Sequence, residues 1–413
     1  MRHPARRALL GLCLVLLLAW LALSLVLGLG KTLGERHAPV DYPPFDFATG
    51  SFDDYAQYSR AYLSATRSDG GDTAVLANLG PFLLEPGPEC PRLPDGRHPQ
   101  GIVLTHGLLD TPYSMRTLGE ALRSNCMLVY GLLLPEHGSR PGALLDSRWE
   151  HWLEAEHWAA QRLGERVESL LLGGHSAGGT LSILESLRNP SVDGLVLFTP
   201  ALGIADAAKY ARFLTPLGAL FPGAGWLEVK PDTALYRYES FAFRGVQETW
   251  ELIGQTWLEE RAMQRNLPTF AVLSLPDTTV DTQAALDYLA RNTHPLSTTL
   301  LYTQQPVDVT DKVASVPGAD REHGVLSTSH LGLMIPPGHP YYGRDGLYRN
   351  CTHYAADSME YDACKAGERQ WYGENTPDNL AQGIVERISF NPYYAGMIAA
   401  LTRFLDNLAS AAP

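Results

Sequence analysis

Gly174-His175-Ser176-Ala177-Gly178 stands between an apolar run, Val167 to Leu172, and a helix-like stretch, Thr180 to Leu187. A strand that turns at once into a helix forces the residue at its apex into strained backbone angles, and small neighbours are needed if strand and helix are to close on each other. Gly174, Ala177, Gly178 and Gly179 supply that smallness. A chain with 38 glycines also produces such pentapeptides by chance, so the flanking strand and helix give this one its weight. The strain lifts the Ser176 hydroxyl clear of the sheet, and the N–H groups opening the next helix face negative charge developing beside it. Ser176 is therefore the candidate nucleophile.

Outward from the motif, short apolar runs alternate with helical stretches. Gly101 to Thr105, Met127 to Leu134, Val167 to Leu172, Gly194 to Thr199, Phe270 to Leu275 and Thr298 to Tyr302 read as strands. Phe52 to Ala65, Pro112 to Leu122, Arg148 to Arg162, Val246 to Leu258, Thr282 to Ala290 and Pro392 to Leu408 read as helices. Nearly continuous apolar strands separated by helices are the pattern of a parallel sheet covered on both faces, so the expected class is α/β.

Three stretches then carry a family resemblance: His106-Gly107-Leu108-Leu109-Asp110 after one strand, Leu134-Pro135-Glu136-His137-Gly138 after the next, and the Ser176 pentapeptide. Over about residues 95 to 330 the chain resembles the α/β-hydrolase superfamily, in particular its monoacylglycerol lipase and carboxylesterase branch. That resemblance implies a mostly parallel sheet with helices on both faces and an inserted cap. It also implies a triad in the chain order nucleophile, acid, histidine. Asp277, after the strand Thr269 to Leu275, is placed like the family's acid; Asp281 is the rival and reads better as an N-cap for Thr282 to Ala290. His330, in Ser327-Thr328-Ser329-His330-Leu331, is placed like the family's histidine, with His323 and His339 as neighbours in sequence. The backbone N–H groups of Leu108 and Ala177 are implied as the oxyanion hole. His106, His137 and His175 read as structural residues that hold their loops.

The three side-chain types belong together chemically. A serine hydroxyl is a poor nucleophile at neutral pH, so a histidine must take its proton and later return it to the leaving group, while an aspartate fixes the imidazole tautomer. The implied activity is hydrolysis of carboxylic esters, lipid-like or acyl esters foremost, through an acyl-enzyme. A peptidase or acyltransferase would use the same triad, because the triad fixes the mechanism and not the leaving group. A non-catalytic binding module of the same fold would not require all three side chains. No cofactor is expected, and without a C-x-x-C pattern beside histidines no metal is either.

Two insertions depart from the bare pattern. Residues 203–266 hold Phe213, Leu214, Leu217, Leu220, Phe221 and Trp226, and resemble the family's cap over the nucleophile; an apolar cap suits an acyl chain. Residues 333–390 separate His330 from the final helix, where the family usually follows its histidine closely with that helix. A segment of this length is rarely structureless, and its position predicts one wall of the active-site mouth or a partner surface.

At the other end, Ala8 to Gly30 carries no charge over 23 residues. A helix of that length spans about 34 Å, enough for a hydrocarbon core of about 30 Å. Arg2, Arg6 and Arg7 precede it, which places the N-terminus in the cytoplasm and the domain after Lys31 outside, in the periplasm of a bacterium. A cleaved signal peptide is the competing reading, and the run is long for one. The expected organisation is thus residues 1–30 as stub and transmembrane anchor, 31–50 as linker and 51–413 as hydrolase domain. Export permits disulfides, and apart from Cys13 four cysteines remain, with three possible pairings. Closeness in sequence favours Cys351 with Cys364, and shared proximity to the sheet favours Cys90 with Cys126. Asn350-Cys351-Thr352 matches a glycosylation acceptor. A net charge of −13 and a pI near 5.4 exclude the basic footprint of a nucleic-acid partner; the expected partners are an ester substrate and the membrane.

Overall fold

The computed structural model describes residues 11, 13–20, 22, 31–67, 72–306 and 312–411. Its centre is an eight-stranded sheet: β1 (Phe82–Leu84), β2 (His98–Thr105), β3 (Leu128–Leu132), β4 (Val167–His175), β5 (Val192–Phe198), β6 (Thr269–Ser274), β7 (Thr298–Thr303) and β8 (Val313–Pro317), in the order β1-β3-β2-β4-β5-β6-β7-β8. Only β1 runs antiparallel to its neighbour; β2 to β8 pair in parallel. Alternate side chains enter two separate cores. Ile102, Leu104, Leu171, Val196, Phe198, Phe270 and Val272 face one layer, which includes α2 (Tyr113–Ser124) and α7 (Tyr394–Ala411). Val103, Leu170, Leu172, Leu195, Leu197, Ala271 and Leu273 face the other, built by α3 (Trp149–Gly164), α4 (Ala177–Arg188) and α6 (Thr282–Arg291). A strand buried on both sides has no polar alternation to show, which is why its sequence reads as one apolar run.

The two edge strands lie outside the sequence expectation. Phe82–Leu84 is only three residues long, and Val313–Pro317 is partly exposed, so neither produces a periodic signal. The last core strand is consequently Val313–Pro317 and not Thr298 to Tyr302. The first amphipathic helix, α1 (Phe52–Thr66), begins at Ser51, whose hydroxyl accepts from Asp54 N while the Asp54 carboxylate accepts from Ser51 N.

Between β5 and β6 the chain leaves the sheet. It forms a short helix, Ala211–Gly218, a two-stranded ribbon, Trp226–Glu228 with Phe241–Ala242, and α5 (Phe243–Met263). Phe213 within Ala211–Gly218 and Leu220 just after it are 60% and 73% exposed, so the apolar residues of this stretch do not all pack inward. Trp226, Tyr238 and Ala242 pack with Leu144 against Leu108 and Leu109 of the loop after β2. The insertion therefore rests on that loop.

The second insertion is ordered. It holds a helix, Met359–Lys365, and a parallel ribbon, Trp371–Gly373 with Val385–Arg387. Cys351 is bonded to Cys364, and Cys90 to Cys126. Asn350 is 3% exposed and accepts from the Thr352 hydroxyl, so its amide is not presented to a glycan.

The anchor expected at 8–30 falls for the most part outside the described residues; Gly11, Cys13–Trp20 and Ala22 of it are helical. Among the described residues no helix is long and apolar enough to cross a membrane.

Candidate active site

Ser176 is the single residue between β4 and α4, with φ 55° and ψ −122°. Left-handed angles of this kind are costly for a residue with a side chain and persist only where the surroundings enforce them. Here the enforcement is packing. A Cβ on Gly174 would lie 2.3 Å from the backbone of Gly178, and one on Gly178 would lie 2.2 Å from the carbonyl oxygen of Thr105. Strand, helix and β2 thus touch through bare backbone, and the turn between them has no room to relax. Ser176 N donates to Phe198 O at 3.0 Å and Ala201 N donates to Ser176 O at 3.1 Å, fixing the apex to the next strand.

The loop after β2 closes on this apex. A Cβ on Gly107 would come within 2.9 Å of Ser176 Cβ, so Leu108 begins right beside the serine. Leu109 has φ 67°, the mark of a loop held against its preference. Among the described residues neither the Leu108 N–H nor the Ala177 N–H has a hydrogen-bond acceptor. These two backbone donors, one on the loop after β2 and one directly after Ser176 in the chain, are the pair expected from the sequence. The loop is braced from behind by His106, which bonds Gly107 O through Nδ1 at 2.8 Å and accepts from Leu134 N at Nε2 at 3.0 Å. Burial pushes its pKa well down, in keeping with that neutral donor–acceptor role. His137 likewise bonds Pro135 O in its own turn.

Asp277 and His330 meet. The His330 Nδ1–H donates to Asp277 Oδ2 at 2.7 Å, and the other carboxylate oxygen accepts from Thr279 N at 2.7 Å and Val280 N at 3.2 Å. Burial opposes the charge on Asp277, but His330, Arg387 and these backbone donors outweigh it and hold its pKa below the ordinary 3.8. His175, adjacent to Ser176 in the chain, bonds His330 O through Nε2 at 3.1 Å, and the two rings lie 4.7 Å apart. The histidine loop is thereby pinned to the serine elbow. Thr328 Oγ1 and Ser274 Oγ, 2.9 Å apart, tie it also to the end of β6, from which Asp277 emerges.

The rivals lie elsewhere in role. Asp281 caps α6, accepting from Gln283 N at 2.9 Å. His323 is exposed and bonds Asp320. His339 accepts from Tyr341 N and Tyr342 N, and burial lowers its pKa to about 4. Ser176 and His330 are only 9% and 7% exposed. Sequence reasoning missed Arg387 and Glu374. Arg387 Nη2 donates to Thr279 Oγ1 at 2.5 Å and to Glu374 Oε2 at 2.9 Å, more than a hundred residues along the chain from the loop it touches. No local motif could have disclosed that contact.

The sequence model of the alpha/beta hydrolase family matches residues 102–341. A thermostable monoacylglycerol lipase of Bacillus sp. (strain H-257) is 25% identical over 189 residues, which cover 44% of this chain and 68% of the lipase. Among solved structures, the monoacylglycerol lipase of Paleococcus ferrophilus is 18% identical, with 54% of this chain and 88% of that one covered and a TM-score of 0.43. A soluble variant of the monoglyceride lipase of Saccharomyces cerevisiae is 12% identical, with 57% and 85% covered and a TM-score of 0.45.

Proposed function

We propose that this chain, which belongs to the alpha/beta hydrolase family, is a serine hydrolase of carboxylic esters, acting on lipid-like or acyl esters through an acyl-enzyme. The observation that carries the reading is a strained serine at a strand-to-helix elbow whose neighbouring histidine hydrogen-bonds the loop of a His330–Asp277 pair. In this reading Ser176 attacks the ester carbonyl, and His330 takes the hydroxyl proton and returns it to the leaving alcohol. Asp277 holds the imidazole with Nδ1 protonated and balances its charge when it becomes imidazolium. The Leu108 and Ala177 N–H groups receive the tetrahedral oxyanion, where fixed donors are worth most because they need no reorganisation. Water then repeats the sequence on the acyl-enzyme. The likeness to a monoacylglycerol lipase supports an acyl ester as substrate.

The proposal includes membrane anchoring through residues 8–30 with the hydrolase outside the cytoplasm, supported by the uncharged run, the arginines before it and the two disulfides. Lys31, which follows that run, donates to Trp226 O and Leu227 O, and in this reading the inserted segment therefore lies near the membrane.

The test is covalent labelling with a fluorophosphonate, followed by turnover of matched p-nitrophenyl esters and anilides. Labelling lost in Ser176→Ala, with esters favoured, is the expected result. Labelling retained in that variant would refute the nucleophile, and a preference for anilides would make the enzyme a peptidase.

A further inference from the structure

The lobe formed by residues 333–390 grips both loops of the proposed acid–base pair. On the acid loop, Thr278 Oγ1 donates to Asn375 Oδ1 at 2.5 Å, and Thr279 Oγ1 accepts from Arg387 at the same distance. On the histidine loop, Ser327 Oγ accepts from Glu374 N at 2.9 Å and Asn379 Nδ2 at 3.0 Å, while Ser329 Oγ donates to Ile388 O at 2.6 Å. Arg387 stands at the centre. Its Nε lies 2.6 Å from Glu374 Oε1, whose side chain is fully buried, and its backbone N–H donates to Asn350 O, next to the Cys351–Cys364 bridge.

From this geometry we propose that Arg387 is a positioning residue for the catalytic acid: through Thr279 it fixes the turn that presents the Asp277 carboxylate to His330, and it brings a cation to that turn. The inference rests on the assignment of Ser176, Asp277 and His330 made above. The physical need is plain. The Asp277 side chain is fully buried, and burial alone drives a carboxyl towards its neutral form, in which it can no longer balance an imidazolium. The titratable and charged groups around the pair are His175 on the elbow, Asp110 and Arg237 near His330, and Arg387 with Glu374 behind it. Of these, Arg387 is the cation that acts directly on Asp277 and also bonds its loop. Glu374 fixes the guanidinium in place, so the charge stays where the turn needs it. The lobe is thus tied to both loops of the proposed acid–base pair.

The experiment compares full-length wild type, R387M, R387K and Thr279→Val in detergent, with p-nitrophenyl butyrate as substrate. R387M is expected to lower kcat about 10- to 100-fold, the scale of a small misplacement in a catalytic constellation, with KM changed less than about twofold. Removing a cation lets the acid–base pair take up its proton at higher pH, so the acidic limb of the kcat profile should move upward. R387K keeps the charge and should return that limb towards the wild-type position while recovering only part of kcat. Thr279→Val breaks the bond and keeps every charge; it should lower kcat several-fold without moving the limb, and it serves as the test if R387M does not fold. Wild-type kcat and pH profile in folded R387M, or in Thr279→Val a wild-type kcat, would overturn the proposal. An active Ser176→Ala would instead remove the triad reading beneath it, whereas an inactive Ser176→Ala beside a fully active R387M would sink this inference alone.

Discussion

At single residues the expectations are sharp because the proposed chemistry is indivisible. Ser176→Ala or His330→Ala should cut kcat on the order of a million-fold and leave melting unchanged, and Asp277→Asn should cost somewhat less. Asp281→Asn should be nearly as active as wild type, since its carboxylate caps α6; the reverse pattern in steady-state rates would transfer the acid role to Asp281. A different carboxylate reports on stability. Burial raises Glu386 from 4.5 to about 7 against the pull of Arg369 and Arg349. The folded chain therefore keeps a proton that the unfolded chain has released, so stability from this group is fully present below pH 4.5 and is lost as pH climbs to about 7. Melting of Glu386→Gln at pH 5 and pH 8 should show a smaller loss than wild type; parallel losses would show that Glu386 does not titrate there. Ser176 and its glycines were legible in sequence because backbone contact leaves no choice of residue. Glu386 and Arg387 were not, because their roles arise only when strands far apart in the chain are brought together.

At the scale of elements, the parallel strands could be read directly, since each buries alternate side chains in two cores and must be apolar throughout. The edge strands and the ribbons of both insertions could not, being two to five residues long and set by their neighbours. Their importance is clearest at the bridge between Cys351 and Cys364. It closes a loop of about 14 residues, worth roughly 3 kcal/mol against the unfolded chain by loop entropy. Its neighbours His353 and Tyr354 bond the backbone of Val385, two residues before Arg387. A Cys351→Ser, Cys364→Ser double variant is thus expected to lose esterase activity more than melting temperature. Full activity with a large drop in melting temperature, read by calorimetry beside initial rates, would make the bridge a support of the lobe alone.

For the whole molecule, the proposed topology is tested by reporter fusions after Lys31: alkaline phosphatase should be active there and a cytoplasmic reporter silent. The opposite outcome would invert the orientation and remove the redox argument for both bridges. The lobe adds a constraint of another kind, that of time. A chain emerges from the ribosome N-terminus first, so Ser176, Asp277 and His330 all appear before Glu374 and Arg387 do. A nascent chain carrying all three residues of the proposed triad would still lack the contacts proposed to aim its acid, and would remain poorly active until its last few dozen residues had followed and the lobe's cysteines had been oxidised. Chains stopped after Gly367 should accordingly label poorly with a fluorophosphonate, and full-length chains should gain labelling only as the Cys351–Cys364 bond forms. Under the proposed topology, activity would then begin at the end of export, after the chain has left the compartment in which it was made.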